Sequence, residues 1–150
     1  MNTLIVEDDE NKRKQISEFL KSEIPDIYIA ERKSYQSGLK EILKGNIDLI
    51  LLDMSMPTYD ISSTEAGGRP RPFAGRDILR YMDRKKIKVP VIIVTQFETF
   101  GEAEETISLS ELQTMMEKNH TNTYKGTVYY NASLNSWKDD LKNVSYRNYG

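Results

Sequence analysis

Ile47-Asp48-Leu49-Ile50-Leu51-Leu52-Asp53-Met54-Ser55-Met56-Pro57 is the stretch on which the fold turns. Leu49 to Leu52 is an unbroken apolar run, the pattern of a strand buried on both faces of a parallel sheet. It ends on a bare carboxylate, Asp53, and Pro57 closes the extended segment four residues later. Open α/β sheets bind ligands in the crevice beyond the carboxyl ends of their strands, which is where Asp53 falls. A carboxylate at such a place also caps turns in many proteins, so Asp53 alone does not separate chemistry from capping.

A second strand ends the same way. Thr3-Leu4-Ile5-Val6 is apolar and β-branched and runs directly into Glu7-Asp8-Asp9-Glu10. Two parallel strands finishing in acids bring several carboxylates to one sheet edge, where like charges repel and raise one another's pKa. A hard divalent cation offsets that cost, because Mg²⁺ takes oxygen ligands and keeps positions open for water and phosphate. The sequence therefore points to a divalent metal held by acids from two strand ends, with Asp53 beside it.

Bulk composition narrows the classes. The 150 residues suit a single domain with one core. A net charge of −2, with no basic stripe interleaved with aromatics, gives no field for direct nucleic-acid binding. Without cysteine there is no disulfide framework, thiolate nucleophile or zinc-thiolate site. The single histidine, His120, lies in the polar stretch Lys118-Asn119-His120-Thr121-Asn122 and reads as a solvated loop residue. The longest apolar runs are strand-length, so no membrane span or signal peptide is expected and the chain reads as cytoplasmic.

Around these two strands the chain alternates. Ile16, Phe19, Leu20 and Ile24 recur at helical spacing after the acidic cluster, with Lys12, Arg13, Lys14 and Lys21 assigned to other faces. Asp9 and Glu10 fall in that helix's first turn, where negative charge is favourable. Asp26 to Ala30 reads as a strand, Ser34 to Lys44 as a helix stopped by Gly45, Gly75 to Lys86 as a helix, and Val89 to Thr95 as a strand. A helix from about Ser108 to Lys118, a strand over Gly126 to Asn131 and a last helix with Ser136 as N-cap complete five strands and five helices. Phe97 and Phe100 are expected to be partly exposed. The alternation implies right-handed βαβ units and a parallel sheet. Residues 54 to 74 exceed the usual βα loop of about two to six residues, and this run of Pro, Gly, Ser, Thr and Arg beside Asp53 reads either as a lid or partner-binding loop or as a disordered insertion. Thr95, at a third strand end, offers a hydroxyl to an anion held at the metal.

Taken together, these residues resemble the receiver domain of two-component response regulators. Leu4-Ile5-Val6-Glu7-Asp8-Asp9 looks like the family's first strand and acidic pair. Leu51-Leu52-Asp53-Met54-Ser55-Met56-Pro57 looks like its phosphoacceptor motif, and Val89 to Thr95 like the strand ending in its switch hydroxyl. The resemblance implies a flavodoxin-like, doubly wound, five-stranded parallel sheet in the order 2-1-3-4-5, over a single receiver domain spanning 1–150. It implies that Asp53 accepts a phosphoryl group from a histidine kinase or phosphotransfer protein. Mg²⁺ would be held by Asp8, Asp53 and the Ser55 main-chain carbonyl, with Glu7 acting through water, and Thr95 would bond the phosphoryl oxygen. A carboxylate is a competent nucleophile for that transfer once incoming charge is neutralised. Signalling would pass through protein contacts with a downstream partner, without classical enzyme activity beyond the protein's own phosphorylation and dephosphorylation.

The chain departs from the family at one place. Aligning Gly126 with the family's glycine puts Tyr130 where a Lys stands and Asn131 where a Pro follows it, while Thr127 takes the place of the aromatic switch. An Arg of the long loop, Arg69, Arg71 or Arg76, is the expected replacement for the missing cation. The alternative is a pseudo-receiver that binds a partner without phosphorylation. A metal nuclease would want a paired Asp-x-Asp, which Asp53-Met54-Ser55 does not supply, and a flavodoxin would want a phosphate loop where this chain has acids.

Overall fold

The computed structural model describes residues 1–61, 67–68, 70–101 and 106–149, the side chains of 146–149 excepted. In chain order the elements are β1 (Asn2–Val6), α1 (Glu10–Glu23), β2 (Tyr28–Arg32), α2 (Tyr35–Lys44), β3 (Leu49–Leu52), β4 (Met56–Pro57) and β5 (Pro70–Arg71). There follow α3 (Ala74–Arg84), β6 (Val91–Thr95), β7 (Thr99–Phe100), β8 (Ile107–Ser108), α4 (Leu109–Asn119), β9 (Tyr124–Tyr129) and α5 (Ser136–Tyr149).

One five-stranded sheet in the order β2-β1-β3-β6-β9, parallel throughout, forms the centre. This is the expected 2-1-3-4-5 order with two short antiparallel ribbons, β4-β5 and β7-β8, set into the loops. The period-two alternation of strands sorts side chains to two cores. Leu4, Val6, Ile50, Leu52 and Ile93 face Leu39, Ile42, Ile78, Leu79, Met82 and Leu112 of α2, α3 and α4. Ile5, Leu49, Leu51, Ile92, Val94 and Val128 face Ile16, Leu20, Trp137 and Leu141 of α1 and α5. With helices on both faces, the central strands have no wet side, and that is why Leu49 to Leu52 carries no polar residue.

Local signals act as the sequence suggests at most helix ends. Asp9 caps α1 by accepting from the Lys12 amide, Ser34 and Ser37 form a capping box on α2, and Ser108 caps α4. Gly45 ends α2 at φ +80°, a conformation that glycine adopts without a side-chain penalty. Ser136 is the first helical residue of α5, one position inside the expected cap.

The long loop after β3 is partly structured. Met56 and Pro57 pair with Arg71 and Pro70, and Tyr59 donates its amide to the Gly67 carbonyl at 2.8 Å. The Gln36 amide donates to Thr58, and the Ser37 hydroxyl to Asp60, so this segment is fastened to the start of α2. Phe100 is buried, whereas Phe97 is 43 % exposed. The expectation for Phe100 is therefore corrected: its place in the β7-β8 ribbon turns it into the core, while Phe97 lies outside the ribbon. His120 also differs from expectation. It is the C-cap of α4, buried, with its Nδ1 against the Asp83 carboxylate. The neighbouring polar residues concealed that a helix end packs there. Among the described residues no helix is long and apolar enough to cross a membrane.

Candidate functional site

The register of the sheet builds the site. Val6 pairs with Leu52, so the next residue of each chain, Glu7 and Asp53, emerges side by side at the carboxyl edge. The Asp53 amide donates to the Val6 carbonyl at 3.2 Å, which carries the ladder one step past the strands. Glu7 and Asp53 are both 1 % exposed, and Asp8 is exposed. Carboxylate oxygens of Glu7, Asp8 and Asp53 lie within 4.8 Å of one another. The predicted convergence of acids from two strand ends is thus what the chain folds to.

Each oxygen has defined surroundings. Asp53 Oδ1 accepts from the Met54 amide at 2.6 Å, and Glu7 Oε2 accepts from the Asp9 amide at 3.1 Å. Asp53 Oδ2 accepts from the Lys12 ammonium at 3.1 Å, and Glu7 Oε1 stands 2.5 Å from the same Nζ. That last contact is a close buried ion pair, and Glu7 Oε1 meets no donor besides Lys12 among the described residues. Burial pushes the Glu7 carboxyl up to about 8, opposed by Lys12 and reinforced by the neighbouring Asp53 charge.

Lys12 is the residue that sequence reading misplaced. It is 1 % exposed, and its Nζ also donates to the Val94 carbonyl at 2.8 Å and to Gln96 Oε1 at 2.7 Å. Three ammonium hydrogens thus face four acceptors. Lys12, Ile16 and Leu20 recur every fourth residue and share the core-facing stripe of α1, so Lys12 is one turn up the apolar stripe rather than on another face. Its charged head lies at the open end of the sheet, where the strand-end carboxylates meet it. A cation in line with Ile16 and Leu20 was the available signal. Arg13, also buried, donates to the Glu7 carbonyl and pairs with Glu31.

Arg71 and Arg76 do not fill the role expected of a loop arginine. Arg71 lies over the Tyr35 ring at 3.9 Å, and Arg76 over the Phe73 ring at 4.3 Å with Asp77 at 3.8 Å. Arg69 lies outside the described residues. The planar guanidinium groups of Arg71 and Arg76 stack on aromatic faces near at hand, whereas the unbranched Lys12 reaches the acid cluster from inside.

Thr95 is fully buried at the end of β6, and its hydroxyl accepts from the Phe97 amide at 3.2 Å. Tyr130 follows β9, buried; its hydroxyl donates to Gln15 at 2.7 Å and its ring centroid lies 5.7 Å from Lys12 Nζ. Burial pushes the Tyr130 phenol above its ordinary value, helped by Asp9 and Glu7. Ser55 lines a shallow cavity of about 300 Å³ together with Asp8, Pro57, Ile61, Gln96 and Phe97. The β4-β5 loop and the β6-β7 turn form its two walls. Helix α3 begins close to the backbone that follows Asp53: the Gly75 amide donates to the Met54 carbonyl at 2.9 Å.

A doubly wound parallel sheet with this acid cluster at its carboxyl edge defines a receiver. Residues 3–122 match the response regulator receiver domain, and the chain belongs to that family. It is 36 % identical over 146 residues to an uncharacterized protein, y4jR, of Sinorhizobium fredii, covering 96 % of both chains. To the Detocs response regulatory protein DtcB of Enterobacter cloacae it is 32 % identical over 143 residues, covering 94 % of this chain and 95 % of that one. The response regulator TrrA of Thermotoga maritima, solved in complex with Mg²⁺-BeF, superposes with a TM-score of 0.58 at 19 % identity, over 95 % of this chain and 97 % of that one. That likeness speaks for the fold alone.

Receiver domains bind Mg²⁺ at an acidic pocket, and the donor set here fits such an ion. Three carboxylates supply hard oxygen atoms within reach of one another, and Asp8 is open to solvent.

Proposed function

We propose that Asp53 is the phosphoacceptor of a signalling receiver. One Asp53 carboxylate oxygen attacks the phosphorus of a phosphohistidine on a histidine kinase or phosphotransfer protein. The new O–P bond forms as the N–P bond breaks, and its electron pair leaves with the donor's imidazole nitrogen. The observation carrying this reading is that a buried strand-end carboxylate meets a buried ammonium at 3.1 Å beside two further acids. That arrangement is expensive unless charge is to be moved there.

Asp8, Asp53 and the Ser55 carbonyl would hold Mg²⁺, with Glu7 acting through water. The ion would supply charge neutralisation for the incoming phosphoryl oxygens. The protein's own part is positioning: the Met54 amide fixes Asp53 Oδ1, and burial at the sheet edge keeps bulk water from the carboxylate. Thr95 lies at the neighbouring strand end, and its hydroxyl would leave the Phe97 amide to bond a phosphoryl oxygen. The chain would act as one receiver domain over 1–150, in the cytoplasm, through contacts with a downstream protein. Similarity to a response regulatory protein supports that output.

A pseudo-receiver is the competing reading, and one observation favours it: Asp53 is 1 % exposed with both oxygens already bonded. Incubation with acetyl phosphate and MgCl₂, read by intact mass, separates the two. The expected result is one added phosphoryl group on the wild type and none on Asp53→Asn. No added group on either would leave the pseudo-receiver standing.

A further inference from the structure

We infer that Lys12 is the phosphoryl-binding cation of this receiver, supplied from the first helix instead of the last strand. The inference rests on Asp53 being the acceptor.

The place where a strand-five Lys would stand holds Tyr130, whose hydroxyl is turned to Gln15 and whose ring faces Trp137 at 5.2 Å. It provides no charge. The Lys12 side chain enters the same space from α1, passes the Tyr130 ring and ends on Asp53 Oδ2. Among the described residues Lys12 is the cation bonded to Asp53, at 3.1 Å, and Arg71 and Arg76 are stacked elsewhere. A buried Lys–acid cluster is a poor stabiliser compared with apolar packing, and apolar packing is what the next two residues of this stripe, Ile16 and Leu20, provide.

Its bonding also suits the task. Nζ has three hydrogens for Glu7, Asp53, Val94 and Gln96, so one acceptor is always incompletely served. When Asp53 becomes an ester its charge moves outward onto the phosphoryl oxygens. The ammonium follows on a flexible four-carbon stem, donating a hydrogen bond without transferring its proton. The bonds it relinquishes most readily are the neutral ones, to the Val94 carbonyl and to Gln96, the latter next to the exposed Phe97.

Lys12 should then affect the two ligands of the site in opposite senses. In the full chain, Mg²⁺ binding is measured by calorimetry, and capture of beryllofluoride at saturating Mg²⁺ by fluorine NMR. Lys12→Met should weaken beryllofluoride capture by about tenfold or more, the scale of one lost charge-assisted bond. Mg²⁺ affinity should stay level or rise, since two carboxylates lose a competing cation. The double variant Lys12→Met/Tyr130→Lys, which returns the charge to the strand, should recover capture to within about threefold of wild type. If Lys12→Met does not fold, Lys12→Gln, uncharged but able to bond Gln96, carries the same expectations. Capture within about twofold of wild type in the uncharged variant would overturn the inference. So would parallel loss of Mg²⁺ and beryllofluoride binding, the mark of a purely structural lysine. Failure of the wild type itself to capture beryllofluoride would instead refute Asp53 as acceptor.

Discussion

Gly75→Ala tests how tightly the Asp53–Met54 backbone and α3 are joined. A Cβ at Gly75 would stand 2.9 Å from the Asp53 carbonyl oxygen and 3.1 Å from Met54 Cα, with Leu52 Cδ1 at 2.7 Å. The Leu52 methyl can rotate aside, but the other two atoms are backbone and belong to Asp53 and Met54. Overpacking against atoms that cannot yield costs about 1–3 kcal/mol. Alanine regains at most about 1 kcal/mol of helix propensity, and less in a first turn. The net expectation is a loss of about 1–2 kcal/mol, or roughly 2–8 °C in Tm for a chain of this size. Thermal unfolding followed by circular dichroism, with urea titration beside it, gives the number. Beryllofluoride capture should weaken as well, because the strain is relieved by moving Asp53. Gly45→Ala is the control, for its Cβ meets nothing within 4 Å and its φ of +80° leaves only local backbone strain. It should lose about 1–3 kcal/mol with capture unchanged. A Gly75→Ala protein as stable as wild type, or more so, would refute the close approach.

Trp137 is 1 % exposed between the rings of Phe19 and Tyr130 in the α1–α5 core. Trp137→Ala should cost about 3–5 kcal/mol in urea unfolding, whereas Trp137→Phe should recover part of it; equal losses would deny the ring packing. Asp60 is held below the usual carboxylate range by hydrogen bonds from Ser34 and Ser37, with Lys33 and Arg32 adding to the effect against a cost of burial. Its folded pKa lies below the unfolded one, so its stabilisation is present above the unfolded value of about 3.9 and fades as pH falls through the folded value. Asp60→Asn should therefore be less stable than wild type at pH near 6, with the two unfolding midpoints converging as pH falls through the folded pKa; a constant gap would exclude the carboxylate charge as the cause.

Alternating apolar strands and amphipathic helices were legible because each has its own period, and parallel pairing then placed Glu7 and Asp53 together. Thr95 was legible as the last residue of another buried run. Lys12 was not, because a cation in an amphipathic helix is ordinarily a solvated residue; only its alignment with Ile16 and Leu20 marks it as inward-facing. His120 was lost for a related reason: the Asp83 that buries it is 37 residues away in sequence, beyond any local pattern. The β4-β5 and β7-β8 ribbons are two residues per strand, too short for alternation to register. The missing charge at Tyr130 was plain in the chain, but its replacement depends on which side chains meet in space.

Borohydride trapping reaches the acceptor most directly. It reduces an aspartyl phosphate to homoserine, so protein treated with acetyl phosphate and Mg²⁺, then reduced, digested and sequenced by mass spectrometry, reports the acceptor by position. Homoserine at position 53, absent when EDTA replaces Mg²⁺, is the expected result. Homoserine at another carboxylate, or none at all while acetyl phosphate and Mg²⁺ are in excess, would contradict Asp53 as the residue that takes the phosphoryl group.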